Sequence, residues 1–165
     1  MVKHSRWIVG EGSATAVATA WVGLLAFATW TAGRAAPGPA AYLTSTLVYA
    51  AGALVCHQES DRSFHYLGAQ VPVCARCAGI YFGAFSASWV VLMVARRLSA
   101  ARSPASSRLL VASCAMPTLV TLTIEWVTPI TPSNTIRAAA GLPLGAAVAW
   151  VLARVGAARL SDEVH

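Results

Sequence analysis

Apolar residues run along this chain in long uninterrupted stretches between short polar ones. They show neither the alternation of a half-buried strand nor the one-sided stripe of a surface helix. A helix rises about 1.5 Å per residue, so about 20 apolar residues cross the roughly 30 Å of bilayer hydrocarbon. Five stretches reach or approach that length: 14–32, 40–55, 74–95, 109–127 and 138–153. They predict an all-α integral membrane bundle of about five transmembrane helices. An Ala-Pro-Gly-Pro break at 36–39 divides the first two, and a polar Arg/Ser stretch at 96–108 divides the third from the fourth.

The chain accordingly splits into an N-terminal segment, 1–39, with an extra transmembrane helix, a membrane-helix core, 40–157, and a short polar tail, 158–165. Lys3 and Arg6 precede the first apolar stretch as they would in a signal peptide. Its 19 residues exceed the usual h-region of about 7–15, which predicts a retained helix.

Composition agrees: 57% of residues are hydrophobic, 11% are charged and the mean hydropathy is +0.62, too little polar surface for a water-soluble globule. The bilayer is the expected partner. The formal charge of +6 does not point to nucleic acid, because the twelve Lys and Arg are scattered and form no stripe interleaved with aromatics. Trp7, Trp89, Trp126 and Trp150 suit interface anchoring.

Gly79-x-x-x-Gly83 and Gly141-x-x-x-Gly145 offer small-residue faces that would let the third and fifth helices pack against each other. Pairing with a second copy to form a homo-oligomer stays open. Five spans place five Lys and Arg on the side of the N-terminus and seven on the other, favouring an outward N-terminus in the cell membrane and a Cys/His loop on the extracytoplasmic side. Crossing by the third and fourth helices would also bring the loop after the second helix and the loop after the fourth to one face.

The first of those loops carries most of the candidate chemistry. Cys56-His57 precedes Cys74-Ala75-Arg76-Cys77 by eighteen residues, with Arg62, Ser63 and His65 between. Three thiols with one or two imidazoles are a ligand set for a tetrahedral metal, with zinc the expected ion and copper or iron as alternatives. Cys56, His57, Cys74 and Cys77 are the expected ligands, with His65 in reserve. A closed site would be structural and an open one hydrolytic. The CxxC pair opening a helix equally suits thiol–disulfide exchange, since the dipole and Arg76 favour a thiolate. A plain disulfide that staples the loop of a small transporter or scaffold is the third possibility. Cys114, inside an apolar stretch, is expected to be inert.

Glu125, near the end of the fourth apolar stretch, is an acid at costly depth and predicts a partner or cavity. Asn134 is expected to cap the fifth helix. Arg137 in its first turn stands at the wrong end for the dipole, which points to an anionic partner such as Glu125 or a ligand. Glu125, Arg62 and Arg137 are the candidate catalytic residues, and Ser63, His65, Arg76 and Asn134 the polar residues around them.

The string CHQxxxRSF from Cys56 to Phe64, PVCARCAGIYFG from Pro72 to Gly83, and then Ser133-Asn134, Arg137, Gly141 and Gly145 resemble the bacterial and archaeal membrane-protein family called domain of unknown function 2085. The resemblance implies a membrane protein and adds no reaction. The family pattern has an Asp-Gly pair and a later Gln where this chain has Glu125-Trp126 and no Gln, so a carboxylate role carries over only to Glu125.

Overall fold

The structure is a computed structural model that describes residues 2–94 and 104–162, with side chains over 12–93 and 107–155. Its helices are α1 (Val2–Ala32), α2 (Pro39–Val55), α3 (Ala75–Val94), α4 (Pro104–Val127) and α5 (Asn134–Asp162). A single 3-10 turn (Ser60–Arg62) and a two-stranded hairpin, β1 (Ser63–Tyr66) with β2 (Ala69–Cys74), stand between α2 and α3. Most of the stretch 96–108 lies outside the described residues. Its end, from Pro104 onward, already belongs to α4, where a proline without an N–H suits the first helical position.

The bundle is apolar on the outside. Leu54 is 87% exposed, Trp126 81% and Leu152 65%, values that lipid accommodates and water does not. Among the described residues, four segments are long and apolar enough to cross a membrane: Gly12–Ala32, Ala75–Met93, Ser107–Val127 and Asn134–Val155. The remaining helix, α2, has 17 residues, about 25 Å of rise against about 30 Å of hydrocarbon.

The ends of α1 and of α2 are both tied to the hairpin. The chain leaves α1 at Gly33, where an added Cβ would stand 2.9 Å from that of Leu67 in the hairpin turn. It leaves α2 at Cys56, whose sulfur accepts a hydrogen bond from the Cys74 N–H at the foot of the same hairpin, 3.1 Å away. Midway, Ser45 donates to the Ala28 carbonyl at 3.1 Å, near the C-terminal end of α1. The hairpin therefore holds the end of α1 at its turn and the end of α2 at its foot, and the four long helices are the candidate crossings.

The hairpin was hidden in the sequence. His65 pairs with Gln70 and Tyr66 with Ala69, leaving a two-residue turn in which Leu67 and Gly68 have φ of 52° and 78°. Two positive φ values make a type I′ turn, whose twist matches that of the strands. Leucine is seldom found there, so no Asn-Gly signal marks it.

The tightest joint in the bundle is between α3 and α5. A Cβ on Gly79 would lie 2.0 Å from the Ala138 carbonyl oxygen, and one on Gly145 would lie 1.9 Å from that of Ile80. Backbone rests on backbone, as the small-residue spacing requires. Threonine and serine hydroxyls tie the other helices: Thr118 donates to the Ala140 carbonyl at 2.8 Å and Thr15 to that of Ser88 at 3.3 Å.

Candidate metal centre

Two elements bring the thiols together. Cys56 ends α2 in an extended conformation and is buried, while Cys74 closes β2 and Cys77 lies in the first turn of α3. The three sulfurs lie within 4.8 Å of one another, and all three cysteines are free. Tetrahedral zinc with Zn–S bonds of about 2.3 Å needs sulfurs about 3.8 Å apart, whereas a disulfide needs about 2.05 Å. The cluster is thus close to the spacing of a cation-bridged set.

Its surroundings set hydrogen bonds that favour a thiolate against an apolar wall that opposes one. The Cys74 N–H points at the Cys56 sulfur, and Trp21, Tyr49 and Tyr81 pack around the apolar cluster of Leu25, Ala28, Val48, Cys56 and Val73 that walls the site. A hydrogen bond from the Cys77 thiol is the main cause that holds Cys74 down at about 5, against a smaller opposing effect of burial. Cys114 is a half-buried free thiol on α4 and takes no part.

The backbone that presents the thiols is fixed by two glutamines that sequence reasoning passed over. Gln58, at φ 51°, donates to the carbonyls of Tyr49 (2.8 Å) and Pro72 (2.6 Å). Gln70 donates to the Gln58 carbonyl at 2.5 Å and to the Ser63 hydroxyl at 3.2 Å, and Tyr49 donates to the Gln70 carbonyl. These bonds lash the end of α2 to β2. The only hint in the sequence was a polar amide beside Cys56-His57.

Neither histidine joins the sulfurs. His57 is exposed and stands outside the three-thiol group; it follows Cys56 directly, and adjacent residues in an extended chain point their side chains to opposite sides. His65 is exposed on β1, with Ser60 as its partner at 3.2 Å.

The second polar group lies one residue away. Arg76, between Cys74 and Cys77, sends Nη2 to Glu125 Oε1 at 2.7 Å and to the Thr121 hydroxyl at 3.4 Å. Arg137 Nε reaches the same carboxylate oxygen at 2.9 Å. The side chains of Glu125 and Arg137 are 2% and 5% exposed, and that of Arg76 is 15% exposed. Glu125 therefore has the partner that its depth demanded, in fact two. The Asn134 amide bridges onward, donating to the Ser63 carbonyl at 2.9 Å and accepting from Arg137 Nη1 at 3.0 Å.

Asn134 is not the cap of α5. Ser133 fills that position, its hydroxyl accepting from the Ile136 N–H at 3.3 Å. The Asn134 side chain is thereby left free to join β1 to α5. The loop after α2 and the loop after α4 meet at one face through this bond. Arg62, on the 3-10 turn, is exposed and paired with Glu59 at 3.0 Å.

The match to a family model of predicted membrane proteins covers residues 56–151, from Cys56 through all three crossings that follow. The chain belongs to the DUF2085 family. Both relatives described next are archaeal. An uncharacterised protein of Methanothermobacter thermautotrophicus is 32% identical over 101 residues, 61% of this chain and 86% of that protein. The uncharacterised protein MJ1492 of Methanocaldococcus jannaschii is 51% identical over 39 residues, 24% of this chain and 25% of its own length. No solved structure matches. The DUF2085 segment contains every residue of the thiol cluster and of the Glu125 network and excludes α1.

Proposed function

We propose that Cys56, Cys74 and Cys77 hold one thiophilic cation, zinc, at the mouth of the bundle. The observation that carries this reading is the convergence of three free thiols, from segments eighteen residues apart, within 4.8 Å. Thiolates favour zinc and copper(I) over hard cations. No histidine or carboxylate joins the sulfurs among the described residues, so the fourth position of a tetrahedral ion is left to water or a ligand, the arrangement of sites that do chemistry. In this reading Glu125 organises Arg76 and Arg137 beside the cation, its Oε1 being engaged by both. Arg62, Asn134 and Arg137 receive the substrate.

Elemental analysis of the full chain, purified anaerobically without chelators, is expected to find about one metal ion per chain, and Cys56→Ser or Cys77→Ser is expected to lose it by at least about tenfold. A metal-free wild-type chain prepared in that way overturns the proposal. A thiol-exchange reading draws support from the low-lying Cys74 thiol at the entry to α3. It predicts instead that the metal-free protein is isolated with a Cys74–Cys77 disulfide, to which reductant adds two electrons and two protons, a mass gain of two hydrogen atoms.

We further infer that this face is extracytoplasmic. If the four long helices are taken as the crossings and α2 as returning to the face it left, the sequence divides into Arg34, Arg62, Arg76 and Arg137 at the site face and eight Lys and Arg at the opposite one, and a basic-rich face is the cytoplasmic one. Membrane-impermeant maleimide added to intact cells is expected to label Ser60→Cys well above the wild-type background. Labelling only after lysis would reverse the orientation.

A further inference from the structure

A cavity of about 470 Å³ opens between the 3-10 turn and the start of α5, lined by Arg62, Ser133, Asn134 and Arg137 and by the acids Glu59 and Asp61. Three features of it favour a negative charge. The first is the amino end of α5, a helix of 29 residues that begins at Asn134, where unspent backbone N–H groups and the positive end of the dipole face the opening. The second is the charge count behind it, since one carboxylate, Glu125, is shared by the buried Arg137 and the half-buried Arg76 and leaves that triad with an excess of one positive charge.

The third is independent of the helix end. Arg137 is buried, its side chain only 5% exposed, yet it lines the cavity. Its Nε is spent on Glu125 and its Nη1 on Asn134, while its Nη2 has no partner among the described residues. A buried guanidinium edge with one fixed, unspent donor pair facing a polar cavity is the geometry that a carboxylate or phosphate oxygen completes.

We propose that this cavity binds an oxyanion, carboxylate or phosphate, seated on Arg137 Nη2 and the first turn of α5 with Arg62 closing over it. The two acids define the ligand further. Glu59 is paired with Arg62 at 3.0 Å, and the exposed Asp61 on the cavity wall opposes any anion, the more so the higher its charge, which favours a ligand of low charge. The site is built from residues other than the thiols, so its failure leaves the metal proposal standing.

Two probes test it on the full chain in neutral detergent: inorganic phosphate followed by calorimetry, and phosphatidic acid against phosphatidylcholine followed by native mass spectrometry. Saturable phosphate binding, weakened about tenfold by Arg137→Lys and a few-fold by Arg62→Gln, supports a soluble anion. Selective retention of phosphatidic acid, lost in the same variants, supports a lipid headgroup. Arg137→Lys keeps a positive charge against Glu125 while removing the Nη2 donor. Arg62→Gln changes an exposed residue and carries the test by itself should the first variant not fold. Absence of saturable binding of either probe, or binding that the variants leave unchanged, overturns the proposal.

Discussion

Glu125→Ala is expected to destabilise the protein by about 3–5 kcal/mol, the cost of leaving buried charge without its counterion. The carboxylate is 2% exposed and takes both Arg76 and Arg137 on one oxygen. Its removal strands two guanidiniums with only Thr121 and Asn134 as neutral partners. Unfolding in mixed micelles with increasing sodium dodecyl sulfate measures the loss. Arg137→Ala in the Glu125→Ala background should cost much less than it does alone, because the two residues act as a unit. Additive losses, or a single-variant loss below about 1 kcal/mol, would mean that water reaches the pair and the charges are not buried in the folded protein.

Gly145→Ala is the second large effect, at about 3 kcal/mol or more. The new methyl would sit 1.9 Å from the Ile80 carbonyl oxygen, and backbone cannot turn aside as a side chain can. Relief requires α3 and α5 to part, which also shifts the first turns that carry Cys77 and Arg137. Loss of bound metal should therefore accompany loss of stability. Gly23→Ala is the control: nothing lies within 4 Å of its added Cβ, and the gain in helix propensity of up to about 1 kcal/mol should make that variant no less stable. Equal behaviour of the two variants in the same micelle titration would refute close packing of α3 on α5.

The features legible in the sequence were those encoded in long or repeated patterns. The apolar lengths declared a helical membrane bundle, glycines at four-residue spacing marked the joint between α3 and α5, and the depth of Glu125 forecast a charged partner. Convergence of Cys56 with Cys74 and Cys77 was legible because thiols have few other reasons to recur beside a polar loop. Local geometry was not. The turn at Leu67-Gly68 uses a residue that propensity places elsewhere, and the hydrogen bonds of Gln58 and Gln70 are tertiary and leave no periodic trace. His57 was expected among the ligands from the Cys/His set and its spacing to the CxxC pair, but it follows Cys56 directly, and extended backbone turns neighbouring side chains apart. Asn134 was expected as a cap on residue type, and Ser133, one position earlier, had an equal claim. The path of α2 could not be judged from hydropathy, because 17 apolar residues fit a thinned bilayer as well as an oblique helix.

That path makes the lipid part of the site's enclosure. α2 presents Tyr42, Leu43, Leu47 and Leu54 outward, each at least 60% exposed, while its inner face and its end at Cys56 close over the thiols. The side of α2 that turns away from the thiol cluster thus carries the apolar side chains that meet the bilayer. A detergent collar that fits loosely around α2 would slacken that helix and expose the thiols, so their reactivity toward a maleimide should differ between detergent and lipid.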